Sequence, residues 1–303
     1  MTIFDRLAGA SRIGLGLAAV GRPGYINLGR DADLPADRTA ETMRARAHEL
    51  LAQAYASGVR YFDVARSYGR AEEFLASWLA TGPAGVVVGS KWGYTYTADW
   101  RIDADVHEVK DHSVATFERQ HGETRALLGD YLDVYQIHSL TPDSPALTDR
   151  DLHARLADLA ARGVTIGFST SGPAQAAAIR AALRVEAGGR PLFRSVQATW
   201  NLLEPSAGPA LAEAHDAGCL VIVKEALANG RLALGDHAPG DAAALAAALS
   251  QPWSSIVLSG AATTEQLTSN LHAEQSPADP VHWKYLAMPA ARYWQDRAAL
   301  PWR

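Results

Sequence analysis

Val59-Arg60-Tyr61-Phe62-Asp63, then Ala71–Ala80, then Gly85-Val86-Val87-Val88-Gly89-Ser90-Lys91 make up one structural period of this chain. The two flanking runs are short, apolar and rich in β-branched or aromatic residues. They do not alternate with polar residues, which marks strands covered on both faces. The middle stretch has helical length and is closed by Gly82-Pro83, a pair that ends a helix. A strand, a helix and a second buried strand in succession form a βαβ unit.

The same rhythm recurs along the chain. Candidate strands are Arg12–Ala18, Val59–Asp63, Gly85–Ser90, Leu132–His138, Val164–Ser169, Ser195–Ala198, Leu220–Val223 and Ser255–Ser259. Candidate helices are Asp37–Ser57, Ala71–Ala80, Asp149–Arg162, Pro173–Ala187, Ala210–Ala217 and Asp241–Leu249. A last one opens at Thr263-Thr264-Glu265-Gln266 with a capping-box pattern. Eight strands alternating with helices predict an α/β fold, a (β/α)8 TIM barrel. A doubly wound open sheet is the rival. It would need a G-x-G-x-x-G turn after a strand, and Gly14-Leu15-Gly16 is only a fragment of one. No linker divides the chain, so residues 1–303 are expected to form a single domain. Two stretches exceed a minimal barrel: Trp92–Asp111, and the tail Ser276–Arg303 with Trp283, Tyr285, Tyr293, Trp294 and Trp302. Long segments after barrel strands tend to build sites. The tail is expected over or beside the rim.

Bulk composition agrees with this and excludes several classes. A length of 303 residues, 48% hydrophobic and 20% charged, suits one barrel enzyme. A net charge of -5 leaves no basic footprint for nucleic acid. No run reaches the roughly 18 apolar residues of a membrane span. The single cysteine, Cys219, lies in an apolar run and fits a reducing compartment, so a cytoplasmic location is expected. Arg6 and Arg12 before Ile13–Val20 superficially resemble a secretion signal, but the run is short, interrupted by glycine and needed as the first strand.

Three runs end in polar residues of different chemistry. The second run ends at Asp63, with Tyr68 five positions on; the third ends at Lys91 and the fourth at His138. In a closed parallel barrel these strand ends share one rim, where barrel enzymes carry their chemistry. A phenol holds its proton at neutral pH, an adjacent ammonium eases its release, and a carboxylate can hold that ammonium in place. An imidazole can orient a carbonyl oxygen. Each residue alone has a plainer explanation as a cap, a packed loop aromatic or a solvated strand end. Together they predict a proton donor for carbonyl reduction.

The chain resembles the aldo-keto reductase superfamily over nearly its whole length. Gly58–Gly69 is similar to the family motif carrying its aspartate and tyrosine, Val88-Gly89-Ser90-Lys91-Trp92 to its lysine motif, and Leu128–His138 to its histidine motif. The resemblance implies NAD(P)H-dependent reduction of a small aldehyde or ketone, or the reverse, without metal, by Asp63, Tyr68, Lys91 and His138. It implies cofactor contacts from Gly16 and Leu17, Ser169 and Thr170, Gln197, Lys224, Leu227, Arg231, Gly260, Ala262, Gln266 and Asn270. Trp92, Tyr94 and Trp200 are the substrate-side candidates. An apolar, aromatic substrate pocket is expected, with help from the tail.

The chain departs from the family pattern at three places. Thr170 follows Ser169 where an asparagine is common, and Lys224-Glu225 stand where a tyrosine often stacks on nicotinamide. No lysine or arginine occurs from Leu232 through Trp283, where many relatives hold the 2′-phosphate. NADPH is therefore expected over NADH by a reduced margin. Two alternatives stay open: a Schiff-base enzyme using Lys91 or Lys224, and a nucleotide-binding regulatory subunit without turnover. Oligomeric state is not legible.

Overall fold

The computed structural model describes residues 2–24, 31–234, 238–277 and 281–301. Trp302 of the tail lies outside them. Eight strands close into a parallel barrel in the order β1 (Ile13–Gly16), β2 (Tyr61–Asp63), β3 (Val87–Trp92), β6 (Leu132–Leu140), β7 (Thr165–Thr170), β10 (Ser195–Thr199), β11 (Leu220–Lys224) and β12 (Ile256–Ser259). β12 pairs back onto β1. Each strand expected from the sequence is present, with its ends moved by no more than two residues. Two hairpins stand outside the barrel: β4 (Tyr94–Tyr96) with β5 (Glu108–Lys110), and β8 (Glu186–Ala187) with β9 (Arg190–Pro191).

The surrounding helices are α2 (Ala40–Ala56), α3 (Ala71–Leu79), α4 (Val114–Leu128), α5 (Arg150–Ala161), α6 (Gln175–Leu183), α7 (Gly208–Asp216), α8 (Asp241–Leu249) and α9 (Thr264–Leu271). Their starts follow capping chemistry: Thr39, Ser113, Asp149 and Thr263 each accept a backbone N–H of the first turn. α6 stops at Leu183, short of the expected Ala187. The reason is Gly188-Gly189, both left-handed (φ 59° and 72°), which turn a hairpin where the sequence suggested a helix end. The capping box expected at Thr263 forms by half. Thr263 Oγ1 accepts from Gln266 N at 3.2 Å, but Gln266 Oε1 accepts from Ala262 N at 2.8 Å.

Below the rim the barrel is filled by Tyr61, Val87, Val134, Leu220, Ile222 and Ile256. α1 (Ile3–Leu7) closes this end with Ile3 and Leu7, and Arg6 clips it to the Asp133 carboxylate and to Val86 O at 2.6 Å. Gly89 is required by the same packing. A Cβ there would stand 2.3 Å from the Tyr61 hydroxyl. The final helix α10 (Ala290–Ala298) docks by Tyr293 and Trp294, both buried. Among the described residues, no helix is long and apolar enough to cross a membrane.

Candidate active site

Asp63 ends β2, Lys91 lies near the end of β3 and His138 near the end of β6, so parallel register carries all three to one rim. Tyr68 arrives on the turn before α3, and glycine makes that turn possible. A Cβ at Gly21 would meet Tyr68 O at 2.4 Å, and one at the left-handed Gly69 would meet Gly21 O at 2.5 Å. The loops after β1 and β2 thus lie backbone against backbone, tied by Arg70 N to Gly21 O at 2.7 Å.

Lys91 is fully buried and ion-paired to Asp63. Its Nζ also donates to Val64 O at 3.0 Å and to the Tyr68 hydroxyl at 3.3 Å, so its three protons have acceptors. The second Asp63 oxygen accepts from Gln197 Nε2 at 2.8 Å. Burial, then the Asp63 carboxylate, hold the Tyr68 phenol well above its ordinary range, while the Arg22 guanidinium pulls it back. Tyr68 therefore keeps its proton. The His138 ring meets Tyr68 edge-on at 5.6 Å and Tyr94 at 5.1 Å. Burial, then the charges of Lys91, Lys224 and Arg22, push the imidazole well below its usual value. It is neutral at pH 7, with one N–H to donate.

The backbone at His138 is held from outside the barrel. His112 Nε2 donates to His138 O at 2.9 Å, so its Nδ1 is the acceptor for the Ser144 hydroxyl at 2.7 Å. Ser139 takes a left-handed φ of 54°; its N–H is held by Ser169 Oγ at 2.8 Å and its carbonyl by Lys110 Nζ at 2.8 Å. Burial pushes His112 down to about 4. A depressed folded pKa means that the unfolded chain binds the proton more tightly, so stability is full above about 6.5 and lost towards pH 4. The unfolding free energy in urea should fall over that window. His112→Leu should be less stable at pH 7 by about 1–3 kcal/mol, having stranded its two partners, and should show a flatter acid limb.

A cavity of about 400 Å³ runs from Tyr68, Asp63, His138 and Tyr94 to Gly260, Ala262 and Gln266. Of the expected contact residues, Gly16, Gln197, Lys224, Leu227, Gly260, Ala262, Gln266, Asn270 and Tyr94 line it. Leu17, Ser169, Thr170, Arg231, Trp92 and Trp200 are not among its walls. Thr170 Oγ1 instead donates to Gln175 at 3.2 Å, and Arg231 lies 4.4 Å over the Tyr293 ring. Trp92 is fully buried against Phe117 and His112, and Trp200 packs on Trp253. The Trp92 indole faces the helical layer, because successive strand residues point to opposite faces; Trp200 lies just past the end of β10.

Charged pairs stand in a cavity wall that is otherwise mainly apolar. Arg22 pairs with Glu108 at 3.1 Å, and Arg297 of α10 grips Glu225 through two bonds of 2.7 and 2.6 Å. Burial opposes the Glu225 charge, yet Lys224 and Arg297 hold its carboxyl down at about 2. Lys224 donates to Thr199 Oγ1 at 2.9 Å. Arg22, Glu108, Arg297 and His112 carry no motif that marks them in the sequence. The only signal for Arg22 was its place in Gly21-Arg22-Pro23-Gly24 after the first strand; the others come from distant segments. At the far end, Gln266 Nε2 donates to Asp33 Oδ2 at 2.7 Å, while Arg46 from α2 donates to Ala262 O at 2.9 Å and Asp33 O at 3.1 Å. α2 thus brings a cation to a segment that lacks its own.

The walls fit a dinucleotide. Asn229, on a left-handed turn (φ 58°), lines the cavity with a buried Oδ1 that has no hydrogen-bond partner, a site for a ligand N–H or hydroxyl. Gly260 and the N-terminus of α9 present backbone at the far end, as an anionic ligand requires.

The model of the aldo/keto reductase family matches residues 12–243, more than half of the chain. No curated protein matches. Among solved structures, the putative aldo-keto reductase PA4992 of Pseudomonas aeruginosa is similar, with 23% identity, TM-score 0.62, and 95% of this chain and 93% of that chain covered. Aldo-keto reductase AKR11C1 of Bacillus halodurans, in its holo form, aligns with TM-score 0.70 at 19% identity over 93% of each chain. Glycerol dehydrogenase AKR11B4 of Gluconobacter oxydans aligns with TM-score 0.65 at 19% identity, over 96% of this chain and 92% of its own. At these identities the structures speak for the fold.

Proposed function

Because the chain belongs to the aldo/keto reductase family, and is thus an oxidoreductase of that type, we propose that it reduces a small aldehyde or ketone with NAD(P)H, or oxidises the corresponding alcohol. The contact that carries this reading is Lys91 Nζ, which donates to the Tyr68 hydroxyl while bound to Asp63. When bound, the nicotinamide would supply the hydride taken up by the carbonyl carbon. Tyr68 holds the proton for the oxygen, and Lys91 stabilises the phenol oxygen as that proton leaves. Asp63 balances Lys91, and Gln197 fixes Asp63. His138, neutral, can offer its N–H to the carbonyl oxygen and so orient it. Lys91 has three acceptors, which argues against an amine free to form a Schiff base.

Gly16, Gln197, Lys224, Leu227, Asn229, Gly260, Ala262, Gln266 and Asn270 would hold the dinucleotide. NADPH and NADH oxidation against a panel of aldehydes, ketones and sugars tests the reading. Carbonyl-dependent oxidation of either cofactor supports it, and none across the panel, with tight cofactor binding, would favour a regulatory subunit.

Cofactor choice turns on Gln266. NADPH is expected to bind more tightly, by less than the roughly 10- to 150-fold that a charged phosphate contact can provide. Gln266→Arg should widen the preference for NADPH. The Asp33 carboxylate beside position 266 would claim part of the new charge, so a gain of about tenfold is expected, from the lower end of that range. Dissociation constants for both cofactors check this. An unchanged ratio would place the 2′-phosphate elsewhere.

A further inference from the structure

We propose that Arg22 is a second cation of the proton-donating assembly, set against the Tyr68 ring so that it stabilises the phenolate formed when the phenol gives up its proton. This rests on Tyr68 being the proton donor. In that step the Tyr68 O–H bond breaks, the proton passes to the oxygen of the carbonyl that has accepted hydride, and the phenolate regains a proton from solvent.

Two cations flank one ring. Lys91 Nζ lies 4.8 Å from the Tyr68 ring centroid and the Arg22 guanidinium carbon 5.6 Å, both within cation–π range. They arrive from different parts of the barrel, Lys91 from β3 and Arg22 from the loop after β1. Arg22 is only 2% exposed, yet its side chain forms part of the cavity wall. It stands in the cavity wall, shielded from bulk solvent. Low dielectric strengthens its field there.

The guanidinium is also held in place. Its Nη1 donates to Ser67 O at 2.9 Å, the residue before Tyr68, and contacts Glu108 Oε2 at 3.1 Å. One nitrogen of the guanidinium thus ties both to the tyrosine's own turn and to the hairpin strand β5. The planar guanidinium can make both bonds and still lie against the ring. Gly21 and Gly69 bring the two loops into contact, so the position of Arg22 follows from the backbone packing that places Tyr68.

The charged groups around the phenol act with different signs. Asp63, Glu108 and Glu225 hold its proton on, whereas Arg22 favours release. Arg22 also helps keep His138 neutral, alongside Lys91 and Lys224. Glu108 has two effects: it anchors Arg22 and opposes the phenolate. Removing Arg22 and removing Glu108 should therefore move the titration of Tyr68 in opposite directions.

The experiment compares Arg22→Met, Arg22→Lys and Glu108→Gln in the full-length protein. The readouts are the pH profile of kcat for carbonyl reduction and the ultraviolet absorbance titration of the phenol, with Tyr68→Phe as the blank. Arg22→Met should lower kcat about 10- to 100-fold, within the range of general-acid effects, and move the titration midpoint up by about one unit. Arg22→Lys should recover much of both. Glu108→Gln should move the midpoint down. The proposal is overturned if Arg22→Met changes stability or KM while the midpoint stays put, as for a structural clip or an anchor for anionic substrates. Should Arg22→Met fail to fold, Arg22→Gln removes the same cation, and an unmoved midpoint there or in Glu108→Gln overturns it equally. If the wild type reduces no carbonyl with either cofactor, the reaction reading falls, while the absorbance titration still decides whether Arg22 acts on the phenol.

Discussion

Tyr68→Phe is expected to lose about 100-fold or more in turnover, while cofactor affinity stays near that of the wild type. The substitution removes one hydroxyl from a ring that otherwise keeps its packing on His138, so the loss should appear in kcat. Retained activity within a few-fold would refute Tyr68 as the proton donor. Lys91→Met should cost as much in rate and should raise the pH at which the phenol titrates, since a cation at its oxygen is gone. It should also destabilise the fold. Asp63 is 2% exposed, and stranding one partner of a buried ion pair costs roughly 3–5 kcal/mol. Removing both charges, as in Asp63→Asn with Lys91→Met, should restore part of that stability and none of the activity.

Deletion of Ala290–Arg303 should destabilise the protein by several kcal/mol. Tyr293 is fully buried and Trp294 nearly so. The Tyr293 hydroxyl accepts from Asn201 Nδ2 at 3.0 Å, and its ring carries the Arg231 guanidinium. Truncating a buried aromatic side chain typically costs about 3–5 kcal/mol. The deletion also strips Arg297 from Glu225 at the cavity mouth. The family resemblance implies a tail folded over the rim against substrate. In the structure these two rings anchor the helix and Arg297 reaches the cavity, while Tyr285 stays exposed. A truncated protein with an unfolding free energy within about 1 kcal/mol of the wild type would contradict this anchoring, since buried aromatics cannot be lost so cheaply. Arg297→Gln separates the roles, leaving both rings in place while altering the mouth.

The barrel was legible because its signals are local. Each strand is a short buried run bounded by turn residues, as at Val59–Asp63 and Leu220–Val223, and a parallel sheet buried on both faces has no other pattern to show. α4 went unread for a related reason. Its buried residues include Thr116, Gln120 and Thr124, polar side chains that hide the apolar face. Gln120 is buried by bonding Gly93 N and Tyr94 O, at 2.8 and 2.9 Å, a pairing that exists only after folding.

The sequence by itself determined the order of the strands and hence the grouping of Asp63, Tyr68, Lys91 and His138 near one rim, because register in a closed parallel barrel converts position along the chain into position on one rim. Tertiary structure decided what surrounds them. Arg22, Glu108, Arg46, Glu225 and Arg297 lie far apart in the chain and carry no motif, yet their pairings set the charge at both ends of the cavity. It also turned Trp92 and Trp200 away from the cavity. Periodicity shows that a side chain is buried, but not against which face. Only the packing of helices and loops on the closed sheet decides that, and with it which charges the phenol feels.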